Sequence, residues 1–105
     1  MENETKITED MTFKGEIEFN GNLIVEGNIE GRVSSSGFIQ VEKEGQITGD
    51  ISVHEVLIKG KLHGNIHQAS FVKLENTAHC SGDIETKELQ IDKGGLHNGR
   101  TIMNR

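Results

Sequence analysis

A short glycine-containing unit, Gly-x-Φ-x-Gly-x-Φ with Φ an aliphatic residue, recurs along most of this 105-residue chain. Three copies begin at Gly27, Gly45 and Gly60, and a fourth begins at Ala78, where the first glycine is replaced. A short apolar run such as Leu23-Ile24-Val25 precedes each copy. A unit repeated over so much of a chain indicates a repeat architecture, in which each unit packs mainly against its neighbours.

The apolar residues also fall into columns at a nearly constant spacing. Two columns follow successive gaps of 16, 17, 16 and 17 residues: Leu23, Ile39, Val56, Val72, Leu89, and Val25, Val41, Ile58, Leu74, Ile91. Two further columns are Ile29, Ile47, Leu62, Cys80 and Val33, Ile51, Ile66, Ile84, with glycines 31, 49, 64, 82 and 99 between them. The turn after the second column alternates between one and three residues, so two coils form a repeat of 33 residues.

Stacked columns of β-branched and aliphatic residues predict strands, because glycine recurs too often for a helix interior and no helical spacing is present. We therefore expect an all-β, single-domain β-solenoid of about six coils of 15–18 residues. Its expected core is Val25, Val41, Ile47, Ile51, Ile58, Leu62, Ile66, Leu74, Cys80, Ile84 and Ile91. Polar residues 1–10 are predicted to be a short disordered tail, residues 11–103 the β-helix domain, and residues 104–105 the C-terminal end.

The charge and composition exclude several functions. Seventeen acidic residues outnumber eleven basic ones, and the basic residues are scattered singly, which argues against nucleic acid as a partner. No apolar run is long enough to span a bilayer, and the start of the chain lacks the features of a secretory signal. The single cysteine forms no internal disulfide and fits a reducing compartment. These features predict a cytoplasmic protein.

No catalytic, cofactor-binding or metal-binding residues are predicted. His63 and His67 would lie about 13 Å apart along a strand, too far for one metal ion. Cys80 occupies a core column, and the glycines lack the helix and lysine of a phosphate-binding loop. We therefore expect neither an enzyme nor a protein with a small-molecule substrate.

The glycine-centred segments Gly49-Asp50-Ile51, Gly64-Asn65-Ile66 and Gly82-Asp83-Ile84, with the phase of residues 23–31, resemble the bactofilins. The resemblance covers residues 12–103. It implies a right-handed, three-sided parallel β-helix that self-assembles end to end into filaments without nucleotide. It also implies a bacterial cytoskeletal scaffold for cell shape, localised cell-wall synthesis or motility, with cell-wall or membrane-associated proteins as further partners. We do not expect the apolar N-terminal segment that takes some members to the membrane, so direct membrane binding, and a place at the inner face of the membrane, stay open.

Two sets of apolar residues are candidate contact surfaces. A solenoid without polar caps exposes its core at both ends, which predicts polymerisation through the end coils. The residues expected there are Met11, Phe13, Ile17, Leu96, Ile102 and Met103. Four others are expected to point outward in pairs 33 residues apart, and they are either scattered surface residues or a lateral contact: Ile24, Phe38, Leu57 and Phe71. After Gly94-Gly95, either Leu96 or His97 continues the inward column.

Two other functions remain as alternatives. One is a β-solenoid that binds a partner without polymerising. The other is an enzyme of the left-handed β-helix acyltransferase type, which is disfavoured because the alternating turns do not keep a six-residue phase and the chain is short.

Overall fold

The computed structural model describes residues 4–19 and 21–103, and within them all secondary structure is β-strand. The strands are β1 Glu4–Ile7, β2 Thr12–Phe19, β3 Asn22–Val25, β4 Asn28–Val41, β5 Gln46–Ile58, β6 Lys61–His63, β7 Ile66–Leu74, β8 His79–Ser81, β9 Ile84–Ile91, β10 Leu96–Asn98 and β11 Thr101–Met103. All recorded pairings between them are parallel. The predicted β-solenoid is confirmed.

The pairings define three faces with six segments each, so the described chain forms six coils. Face 1 contains segments 4–7, 22–25, 38–41, 55–58, 71–74 and 88–91. Face 2 contains segments 12–15, 28–31, 46–49, 61–63, 79–81 and 96–98. Face 3 contains segments 16–19, 32–35, 50–53, 66–69, 84–86 and 101–103. Long strands such as β4 and β5 therefore bend around corners and serve more than one face.

The core is a set of aliphatic ladders that run along the axis of the rod. Ile29, Ile47 and Leu62 pair in register on face 2, and each is at most 1% exposed. Burying such a side chain stabilises the fold by about 1.5–3 kcal/mol relative to exposure. A slip of one residue would turn a whole ladder outward, so the ladders also fix the register. Ten of the eleven expected core residues are buried, and Ile91 is the exception.

Ile91 lies in its predicted column but is 44% exposed. It pairs with Leu74 on one side, and it belongs to the sixth coil, so no described coil covers its other side. The expectation that it is buried in the core of one chain is therefore wrong. The cause is its position at the end of the stack.

The prediction of a disordered tail over residues 1–10 is wrong for residues 4–10. Residues 4–7 form β1, which pairs with β3, and Ile7 is only 6% exposed. Thr8, Glu9 and Asp10 form a turn in which the N–H of Met11 donates to the carbonyl of Thr8 at 3.0 Å. This segment is ordered because Ile7 covers Val25 and completes the first coil. Residues 1–3 and 104–105 lie outside the described residues.

The register of the last coil shows which residue takes the inward position after Gly94-Gly95. His97 pairs with Cys80 and so takes the inward column, whereas Leu96 pairs with exposed His79 and is itself 55% exposed. A histidine therefore ends the ladder of aliphatic residues on face 2.

The glycine ladder at the corner between faces 2 and 3 depends on close backbone packing. Gly49 has φ +133°, and a Cβ at this position would lie 1.8 Å from the carbonyl oxygen of Gly31. Gly15, in the first coil, has a similar φ of +122° but nothing within 4 Å of its Cβ position. Strain from φ applies at both positions, but the steric clash applies only where another coil lies beneath.

This difference predicts unequal effects of alanine at the two glycines. Gly15→Ala should lower the free energy of unfolding by about 1–3 kcal/mol, the usual cost of an unfavourable φ. Gly49→Ala should lower it further, because the coil spacing must widen as well. Thermal unfolding of the unassembled proteins, followed by circular dichroism, measures both. Equal losses of stability would contradict the importance of close coil packing.

Candidate functional site

The first end of the rod is an open cross-section of the core. Its edge segments are 4–7, 12–15 and 16–19. Phe13 stacks on Ile29 and Ile17 on Val33, but their other sides have no described coil above them. Phe13 is 38% and Met11 49% exposed. The side chains there surround an open depression of about 390 Å³, whose apolar lining is Ile7, Met11, Phe13, Ile17 and Leu23.

The second end is a matching open cross-section. Its edge segments are 88–91, 96–98 and 101–103. The inward positions are Leu89, Ile91, His97, Thr101 and Met103, which pair with buried residues of the fifth coil. Met103 is 52% and Ile91 44% exposed, whereas Ile84 beneath Thr101 is fully buried.

Both ends also carry open sheet edges. In a parallel ladder each strand uses part of its N–H and C=O groups on each side, so an edge strand has groups left to pair. Within residues 4–19 and 21–103, no segment crosses either end to cover these groups or the apolar side chains. Each end therefore leaves backbone groups and apolar side chains without a neighbouring coil among the described residues.

The six residues predicted for polymerisation divide into two groups. Phe13, Ile17 and Met103 lie in inward columns at the two ends, and Met11 lies at a corner of the first coil. Leu96 and Ile102 belong to the last coil but pair with His79 and Glu85, which are outward residues. They therefore lie on the outer rim and not in the core cross-section, because the strand register puts Thr101 over Ile84.

Five residues of the end surfaces were not predicted as such from the sequence: Ile7, Leu89, Ile91, His97 and Thr101. Ile7 was assigned to the tail, although the three polar residues after it match the long form of the turn. Leu89 belongs to a predicted column but was not recognised as part of an end. The inward position of His97 was not predicted, because the sequence gives no clear reason to place a polar ring in a column of aliphatic residues.

The four candidate lateral residues lie together on the outside of face 1. Ile24, Phe38, Leu57 and Phe71 are each half-buried in a single chain. They occupy four successive coils, the second to the fifth.

Comparison with known proteins decides the family. A family model for bactofilins, described as polymer-forming cytoskeletal, matches residues 5–101. The chain belongs to the bactofilin family. The solid-state NMR structure of the cytoskeletal bactofilin BacA is similar, with a TM-score of 0.87 and 25% sequence identity over 97% of each chain. No curated protein sequence gives a significant match.

This bactofilin is a polymer-forming cytoskeletal protein, and its family is structural and not enzymatic. Burial raises the pKa of the Cys80 thiol to about 12, which keeps it protonated and unreactive. Among the described residues, no group of three histidine, cysteine or acidic side chains is placed to hold a metal ion. That part of the chain also contains no helix long and apolar enough to cross a membrane.

Polar contacts attach the last coil of this bactofilin to the coil before it. A guanidinium N–H of Arg100 donates to Asp83 Oδ2 at 3.1 Å, and the backbone N–H of Arg100 donates to Oδ1 at 3.3 Å. The ring of His97 lies with Nε2 3.1 Å from the carbonyl oxygen of Gly82. These contacts hold the corner of an end coil that has packing on one side only.

The hydrogen bonds from Arg100 lower the pKa of the Asp83 carboxyl, the side-chain bond most and the backbone bond next. A carboxyl with a lowered pKa stabilises the fold above its unfolded value of about 3.9, and this contribution is lost as the pH falls through the lowered value.

Arg100→Gln should therefore raise the pKa of Asp83, only in part because the backbone donor remains. NMR titration of the carboxyl carbon measures this. Arg32→Gln is the matched control, since Arg32 lies in the same register column as Asp83 and Arg100 but three coils away from Asp83, and its substitution removes the same charge. An Asp83 pKa that does not respond to Arg100→Gln would contradict the ion pair.

Proposed function

We propose that this bactofilin forms filaments by end-to-end stacking, with the end coil of one rod acting as template for the end coil of the next. The observation that carries the proposal is the difference between the middle and the ends of the same ladders. Ile58 and Leu74 are fully buried, and Ile91, the next residue of their column, is 44% exposed. A seventh coil supplied by another subunit would cover it.

The surfaces at the two ends suit such a contact. Each presents apolar side chains inside a ring of sheet edges on three faces, so one contact buries apolar area and pairs backbone groups together. This combination offsets the cost of association, which is on the order of 4–15 kcal/mol. It needs no bound nucleotide, and the described residues contain no helix N-terminus at which a phosphate-binding loop would be built.

For the cellular role we propose a cytoplasmic scaffold that supports bacterial cell shape, localised cell-wall synthesis or motility. The support for this role is membership of a polymer-forming cytoskeletal family. Cell-wall or membrane-associated proteins would then be its clients. A filament suits this role because it carries many copies of one outer surface at regular spacing.

Charged substitutions at the two ends test the stacking. Phe13→Arg and Ile91→Arg place a cation where the monomer leaves the side chain in contact with water but the stacked filament buries it. An unpaired buried charge costs several kcal/mol, so both variants should fold and fail to form filaments. Electron microscopy and analytical ultracentrifugation, without nucleotide, measure the outcome.

Ile102→Arg is the matched control, because Ile102 is as exposed as Ile91, at 44%, but points outward from the same last coil. It should leave filaments intact. The size of the blocked species gives the direction of stacking: monomers if unlike ends meet, and dimers if like ends meet through the unchanged end. Filaments formed equally by Phe13→Arg and Ile91→Arg would refute end stacking.

A further inference from the structure

The outer side of face 1 carries a diagonal strip of apolar side chains, defined by Ile24, Phe38, Leu57 and Phe71. Two outward columns run along this face. Outer column 1 is Glu4, Asn22, Phe38, Glu55, Phe71 and Glu88, and outer column 2 is Lys6, Ile24, Gln40, Leu57, Lys73 and Gln90. From the second to the fifth coil, apolar residues alternate with polar ones along each column, and the two columns alternate out of step.

The alternation follows from the two-coil repeat. Ile24 and Leu57 are 33 residues apart, as are Phe38 and Phe71. Each apolar residue therefore has a polar residue directly above it and an apolar one diagonally across. Diagonal neighbours on a sheet lie about 7–8 Å apart, within reach of aromatic side chains. The result is a connected apolar zigzag over four coils, bordered by acidic and basic residues.

We propose that face 1 is a lateral contact between two copies of this chain, which pack face to face with their rods parallel and offset by one coil, about 4.8 Å. This contact is additional to the proposed end-to-end stacking and does not depend on it. A second copy is the fitting partner because the pattern of outer columns 1 and 2 is complementary to itself in this arrangement.

Two parallel rods packed face to face place outer column 1 of one copy over outer column 2 of the other. Without an offset, every apolar residue meets a polar one: Phe38 meets the partner's Gln40, and Leu57 meets the partner's Glu55. With an offset of one coil, Phe38 meets the partner's Leu57, and Ile24 meets the partner's Phe38. Two apolar residues are mismatched: Phe71 meets the partner's Gln90, and the partner's Ile24 falls at the register position of Glu4. The partner's Phe71 meets Leu57.

The charges match in the same arrangement. Glu55 meets the partner's Lys73 on one side of the contact, and Lys73 meets the partner's Glu88 on the other. Opposite charges on an interface select the partner and its register. Rods packed in opposite directions can also bring apolar residues together, but they then place like charges opposite each other. One such arrangement puts Glu55 against the partner's Glu55, and another puts Lys6 against the partner's Lys73.

Leu57→Lys is the first test, because Leu57 meets an aromatic residue on both sides of the proposed contact. The variant should keep the fold and form single filaments, whereas the wild type forms laterally paired ones. Thr48→Lys adds the same charge at an exposed position of face 2 and should leave the pairing unchanged. Negative-stain electron microscopy measures filament width. Wild-type filaments that stay single, or pairing unaffected by Leu57→Lys, would overturn the proposal.

Disulfide cross-linking tests the direction and the offset without disturbing the apolar strip. In the proposed arrangement Gln40 of one copy faces the partner's Glu55. A co-assembled mixture of Gln40→Cys and Glu55→Cys proteins should therefore cross-link under mild oxidation, and each protein alone should not. Cys80 is buried and should not interfere. Cross-linking of Glu55→Cys alone would indicate rods in opposite directions and overturn the arrangement, as would a mixture that does not cross-link.

The two tests also separate this contact from end stacking. If no filaments form, sedimentation of the wild type should still show lateral dimers that Leu57→Lys removes and Ile91→Arg does not. Dimers removed only by Ile91→Arg would support end contacts and contradict the lateral one. Wild-type rods that remain monomeric at high concentration would contradict both.

Discussion

The structure depends on one interaction repeated along its axis: the parallel backbone ladder by which each coil pairs with the coil before and after it. In a compact domain most strands have neighbours on both sides, but in this rod the ladder has a first and a last coil. The inner coils bury their aliphatic residues completely because coils lie on both sides. The same residue type at the end, as Ile91 shows, stays 44% exposed. The stability of a solenoid is approximately a sum of contacts between neighbouring coils. Each end coil lacks one such set of contacts, and the free energy of forming them is what could drive the proposed assembly.

The ladder in turn requires coils that approach each other closely at the corners. The glycines between faces 2 and 3 have positive φ, and their carbonyls occupy the space that a side chain on the next coil would need. Gly49 over Gly31 shows this directly. The buried ladders between these corners consist mainly of Leu, Ile and Val stacked on like residues. Charged residues on the outside add ion pairs between adjacent coils, such as Asp83 with Arg100.

Much of this could be predicted from the sequence because the constraint is periodic. Ten of the core residues that the columns predict are buried, because an apolar residue recurs at the same position in successive coils and each occurrence supports the others. The errors occurred where the repeat stops. Ile7 was missed because β1 has one neighbour only. The inward position after Gly94-Gly95 was left open between Leu96 and His97 because two successive glycines concealed the register, and Ile102 was expected in the end surface although it points outward. Ile91 is exposed because no described coil follows it. The identity of the residue does not reveal this, since an isoleucine in the same column of an inner coil is buried.

The central claim is that the ladder of one subunit continues into the next, and the axial repeat of the filament tests it most directly. Six coils at about 4.8 Å give a subunit length of about 29 Å. Cryo-electron microscopy or fibre diffraction should show an unbroken spacing of about 4.8 Å along the filament. The subunit repeat should be about 29 Å, or about twice that if neighbouring subunits alternate in direction. Filaments whose repeat requires a gap of more than one coil spacing between subunits would contradict a continuous ladder.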